Sequence, residues 1–133
     1  MSEEIEQSKL DKMHSISAEA AILGSMLLDC TIIPEVCLQL NTEHFYRLEN
    51  QILFEAIQNI YIEHNGEIEN EAILILVRNR LEQSGRMEDA GGLDYVLECA
   101  ESVPSAASWQ YYADIVKDRK AYRDITRTVE DMK

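Results

Sequence analysis

From Ala106 to the C-terminus at Lys133 the chain contains neither proline nor glycine, and its apolar residues recur at helical spacing. This is the feature that most limits what the chain can become. A run of that kind predicts one long helix, entered after Pro104 has broken the preceding path and with Ser105 or Ser108 available as a cap. Trp109, Tyr112, Ala113 and Val116 are spaced to dock its first turns on a globule. Beyond them Ile115, Tyr122 and Val129 form one row of a near-heptad stripe, and Ile125 and Met132 form the other. A stripe that projects past a core already supplied elsewhere needs a partner, because an exposed apolar stripe of this length usually marks an interface. The competing expectation is that the helix folds back across its own globule.

The rest of the chain follows the same period. "SISAEAAILGSMLLD" predicts a helix with Ser15 or Ser17 as N-cap, Glu19 in its first turn, and Ile22, Leu23, Met26 and Leu27 on one face. Gly24 inside it costs up to about 1 kcal/mol against alanine, so it is expected to admit a second helix at close range. "TIIPEVCLQL" predicts a short helix with Pro34 in its first turn. The link "EHFY" is expected to bury Phe45 and Tyr46. A longer helix is expected over 48–64, with Ile52, Leu53, Ala56, Ile57, Ile60 and Tyr61 inward and Asn65-Gly66 ending it in the left-handed way. The next should run from about Glu69 to Ser84, with acids in its first turn, Arg78 and Arg80 near its end, and Gly85 stopping it. "LDYVLECAES" should turn Leu93, Val96, Leu97 and Ala100 to one side.

The fold class that follows is all-α: a compact bundle of about five short helices, then a long C-terminal helix. Residues 1–14 are read as a flexible tail, 15–104 as the helical globular domain, and 105–133 as the long last helix. Gly91 and Gly92 are punctuation, since a phosphate-binding loop of the type G-x-x-x-x-G-K-[ST] needs a lysine and a hydroxyl that neither glycine is followed by.

Charge narrows the function classes. The formal net charge is −13, which opposes sequence-independent binding to a polyanion. The imbalance is uneven: residues 1–116 hold 21 acidic and 6 basic side chains, and 117–133 hold 4 and 6. Lys117, Arg119, Lys120, Arg123 and Arg127 are read as solvating the outer face of the last helix. Cys30, Cys37 and Cys99 lie inside apolar patterns without C-x-x-C spacing and are expected to be reduced core thiols. His14, His44 and His64 are scattered, and the carboxylates Glu63, Glu67, Glu69 and Glu71 sit around a helix start, so neither a metal site nor a catalytic constellation is expected. No apolar run approaches a membrane span and the N-terminus is acidic, so a cytoplasmic protein without membrane contact is expected.

The ordered set "AE-AILGSMLLD", "FY", "IL-FEAI", "G-E-I-E", "GGLDYV" and "VPSAAS-YYADIVKD-KAYRDI" resembles the N-terminal domain of the bacterial replicative DNA helicase, the DnaB family, from about Ser15 to Ile125. The chain departs from that pattern at Asn50, where a histidine is frequent, at Ser108, where an asparagine is frequent, and in a Glu69–Gly85 helix about one turn longer. The resemblance implies a non-catalytic piece of a hexameric ring. It implies that the long C-terminal helix begins a helical hairpin, with 105–133 the first helix of a truncated oligomerisation hairpin, and it implies self-association in an N-terminal collar through that hairpin and recruitment of primase. A helicase loader is a further possible partner. It places the primase contact at Tyr95, Thr126 and Met132, with an ordinary core tyrosine as the competing reading of Tyr95. The residues themselves assign hairpin pairing to Ile115, Tyr122, Ile125, Val129 and Met132. No cofactor is expected in this chain. ATP and Mg would serve a helicase domain that the sequence does not include, and DNA would be met only through the parent hexamer. A stand-alone adaptor or decoy that binds a helicase or primase is the alternative.

Overall fold

The computed structural model describes residues 17–132; the expected tail and the Ser15 cap lie outside them. Among the described residues six α-helices follow one another: α1 Ser17–Leu28, α2 Ile33–Gln39, α3 Leu48–Glu63, α4 Ile73–Gln83, α5 Gly92–Ala100 and α6 Trp109–Asp131. Short 3-10 turns at Cys30–Ile32 and Thr42–His44 join the first three. No strand occurs among the described residues, so the fold is all-α.

α1 is the centre. Ile22, Leu23 and Met26 are fully buried on it, Ala18, Ala21 and Leu27 nearly so, and the core continues through Ile33, Val36, Phe45, Leu53, Phe54, Ile57, Ile60, Ile73 and Val77. Gly24 admits a neighbour as expected: a Cβ built there would lie 2.1 Å from the carbonyl oxygen of Cys99. The backbones of α1 and α5 therefore touch where neither carries a side chain between them. Ser102 fastens the same crossing, its hydroxyl lying 3.1 Å from the carbonyl of Ala20 and 2.7 Å from that of Cys99.

The close crossing also sets the rotation of α5. With the Cys99 backbone against Gly24, the inward residues are Tyr95, Val96, Cys99 and Ala100, while Leu93 and Leu97 are each 37% exposed. The expectation that Leu93 and Leu97 would share the core face is thus corrected.

Two helix stops follow backbone chemistry. After α3, Asn65 takes φ 54° and the Gly66 N–H returns to the Tyr61 carbonyl at 2.9 Å. After α4, Gly85 takes φ 71° and the Arg86 N–H returns to Leu81 at 2.9 Å. Each left-handed residue turns the chain so that its successor satisfies a carbonyl which the helix leaves open. The start of α4 differs from the periodic reading. Residues 69–72 form a turn and the helix begins at Ile73, because Asn70 turns its side-chain oxygen to the Cys30 N–H at 2.8 Å. That oxygen satisfies one of the open donors of the 3-10 turn and holds Asn70 out of the helix.

At the "EHFY" link Phe45 is buried against Phe54, ring centroids 4.9 Å apart. Tyr46 is 62% exposed instead of buried. No helix among the described residues is long and apolar enough to cross a membrane; α1 and the Cys30–Gln39 segment pass that test only together, and they meet at 112° with most of their apolar residues in the core and Leu28 and Leu38 exposed.

Candidate interaction surfaces

α6 divides into a docked half and a free half. Ala113 and Val116 are buried, and Trp109, Tyr112 and Ile115 pack half-buried against the core. Polar contacts extend the docking: the side-chain amides of Gln39 and Gln110 pair at 2.9 and 2.7 Å, and Lys117 Nζ donates to Gln39 Oε1 at 2.9 Å. The last attachment is Arg123. Its Nη2 donates to the His44 carbonyl at 3.0 Å and its guanidinium lies 5.4 Å from the centre of the Tyr46 ring.

Beyond Arg123 every residue through Met132 is exposed. Tyr122, Ile125, Val129 and Met132 are 62%, 65%, 52% and 81% exposed. At 3.6 residues per turn these four fall within an arc of about 80° and span about 15 Å of helix, with Thr126, also exposed, about 40° outside the arc on the Tyr122 side. Ile115 stands apart from them. It heads one heptad row in the sequence, but in the fold it packs against the globule, so its burial is already used within the chain.

Tyr95 is half-buried. Its ring lies against Gly91, where a Cβ would come within 2.7 Å of Cδ2, and Gly91 itself takes φ 95°. Only glycine serves both conditions. The Arg47 guanidinium covers the ring at 5.5 Å, and its Nε also meets Glu49 at 3.0 Å. The Tyr95 hydroxyl donates to Asn50 Oδ1. Burial, and then the nearby Cys99 thiol, push the phenol well above its ordinary pKa.

Behind Tyr95 lies a group that the periodic reading treated only as a first-turn acid. Glu19 is fully buried on α1. Its carboxylate accepts the Tyr46 N–H and the Asn50 side-chain amide, each at 2.8 Å, and the Arg47 N–H as well. Burial raises its pKa, opposed by these hydrogen bonds and by the charge of Arg123. One carboxylate thus organises two neighbouring residues that face different ways: Arg47 covers Tyr95 of α5, and Tyr46 receives Arg123 of α6. The two surfaces singled out in the sequence, at Tyr95 and on distal α6, are joined through this dipeptide. The available signal in the sequence was a lone charge inside the otherwise small and apolar run "AEAAILG".

Cys30 and Cys99 are buried and Cys37 half-buried, all unpaired, and burial raises each pKa, that of Cys99 to about 11. Among the described residues no group of three or more His, Cys, Asp or Glu side chains is placed to hold a metal.

A family model described as the DnaB-like helicase N-terminal domain matches residues 11–118. The chain belongs to this family. The match takes in Glu19, Asn50, Tyr95 and the docked half of α6, and it ends before the four exposed apolar residues. Among similar proteins, the replicative DNA helicase DnaB of Geobacillus stearothermophilus is 36% identical over 114 residues, 86% of this chain and 24% of that protein. The replicative DNA helicase DnaC of Bacillus subtilis is 32% identical over the same shares. This DnaB-family chain therefore spans about a quarter of the length of the curated relatives it matches. A solved structure, the N-terminal domain of DnaB helicase from Mycobacterium tuberculosis, superposes with a TM-score of 0.72 at 32% identity, covering 86% of this chain and 78% of that one.

Proposed function

We propose that this DnaB-family chain is the non-catalytic N-terminal part of a hexameric replicative DNA helicase, where it associates with other subunits in an N-terminal collar and recruits primase. One observation carries the reading. The distal turns of α6 leave Tyr122, Ile125, Val129 and Met132 exposed on one side, while Trp109, Tyr112, Ala113, Ile115 and Val116 of the docked half are already packed. Burying such a row against a second subunit returns about 25 cal/mol for each Å² of apolar surface covered. The primase contact is assigned to Tyr95, Thr126 and Met132. In this reading ATP and Mg belong to a motor region of the helicase, a helicase loader is a further partner, and DNA is met through the hexamer, consistent with the net charge of −13. The site of action is the cytoplasm.

Sedimentation equilibrium tests the association. The chain is expected to self-associate weakly with rising concentration, and Ile125→Asp is expected to shift it to monomer. Identical monomers for both would count against the assignment.

A further inference from the structure

Tyr95 can offer a partner either its phenol or its ring, and the residues behind it decide which. The constraint begins at Glu19, which water does not reach. An ionised carboxylate only accepts hydrogen bonds, and the groups that reach Glu19 are all donors: the Tyr46 and Arg47 N–H groups and the Asn50 amide. Asn50 must therefore turn Nδ2 toward Glu19, which leaves Oδ1 toward Tyr95. A carbonyl oxygen cannot donate, so the Tyr95 hydroxyl must. Asn50 is fully buried too, so solvent does not relax the arrangement. The ring is held separately, between Gly91 on one side and the Arg47 guanidinium.

We propose that Glu19 and Asn50 are positioning residues for the Tyr95 contact: they commit the phenolic proton inward, so that a partner meets the part of the ring that Gly91 and Arg47 leave open, together with the Arg47 guanidinium, and not a hydrogen-bonding phenol. The proposal rests on the primase-facing reading of Tyr95 given above and adds what the partner reads there. The matching surface on the partner carries an apolar group for the ring and a carboxylate for Arg47.

Calorimetric titration of the 133-residue chain with the C-terminal domain of primase from the same cell tests it. Tyr95→Phe is expected to bind within about twofold of the parent, and Tyr95→Ala about tenfold or more weaker. Asn50→Leu is expected to weaken binding several-fold while its helical circular dichroism is retained. A loss with Tyr95→Phe as large as with Tyr95→Ala would overturn the proposal, because the partner would then be using the hydroxyl. Parent-like binding by Tyr95→Ala would overturn the primase-facing reading and with it the partner half of the proposal. The internal half has its own readout, the 13C shift of Tyr95 Cζ at neutral pH, which follows the state of the hydroxyl. It is expected to move in both Asn50→Leu and Glu19→Gln; an unchanged shift in both overturns the positioning role whatever the binding shows.

Discussion

The side-chain amide of Asn50 on α3 lies 2.8 Å from the carboxylate of Glu19 on α1, both groups fully buried. Asn50 also receives the Tyr95 hydroxyl of α5, so three helices meet through one amide. Replacing it with an apolar residue of similar size deprives a buried carboxylate of a donor and a buried hydroxyl of its acceptor. The cost of stranding such groups is about 1–3 kcal/mol for each, more where one is charged. Asn50→Leu is therefore expected to lose about 2–4 kcal/mol in urea denaturation. A loss below about 1 kcal/mol would mean that water enters and replaces the amide.

Glu19 also predicts a pH dependence. Its carboxyl pKa is raised from the ordinary 4.5 by burial, with the Asn50, Tyr46 and Arg47 hydrogen bonds and the Arg123 charge opposing. A carboxyl whose pKa is higher in the fold than in the open chain contributes stability that is fully present below the open-chain value and is lost as pH rises through the folded one. Glu19→Gln lacks that dependence. The stability gap between the parent and Glu19→Gln is expected to widen in favour of the parent as pH falls from about 7 to about 5. Denaturation curves giving the same gap at both ends would contradict a raised pKa.

At Gly24 two effects oppose each other and their sizes decide the outcome. Alanine favours a helix interior over glycine by about 1 kcal/mol. Here its Cβ would sit 2.1 Å from a backbone oxygen of α5, and relieving such overpacking costs about 1–3 kcal/mol or more. Gly24→Ala is expected to lower the melting temperature. A rise would show that α5 can withdraw without loss.

Ile115 and Ile125 share a helix but not a role. Ile125 is 65% exposed and Ile115 packs on the core. Truncating Ile115 to alanine is expected to cost about 1–2 kcal/mol of stability, below the range for fully buried isoleucines. Ile125→Ala should stay within about 0.5 kcal/mol. Chemical denaturation at a concentration low enough to hold the chain monomeric distinguishes the two; equal losses would place both side chains in the same environment.

Arg123 is the last anchor of α6, through the His44 carbonyl and the Tyr46 ring. Arg123→Ala removes one hydrogen bond and one cation–π contact, together about 1–2 kcal/mol. Amide exchange is expected to accelerate in residues 124–132 and to stay unchanged in α1 and α3. Acceleration spread evenly over the chain would instead indicate global loss of stability.

What could be read from the sequence was local. Helical periodicity, the left-handed stops at Asn65 and Gly85, the proline in the first turn of α2 and the docking residues of early α6 depend on backbone stereochemistry and side-chain spacing within a few positions, and both are written in order along the chain. Gly24 was legible for a related reason, since glycine inside a strong helix has a cost that only close packing explains.

The remainder was decided between elements distant in sequence. Asn70 leaves its helix because of Cys30, forty positions earlier. Leu93 and Leu97 give up the core because the crossing at Gly24 fixes the rotation of α5. Ile115 leaves the outer stripe because the globule reaches that far along α6. Glu19, one acid among many in the sequence, becomes the hub behind Tyr95 because Tyr46, Arg47 and Asn50 arrive around it only when α3 packs on α1. Periodicity states which residues share a face; which faces are covered, and which buried polar groups find partners, follows from satisfying all the helices at once.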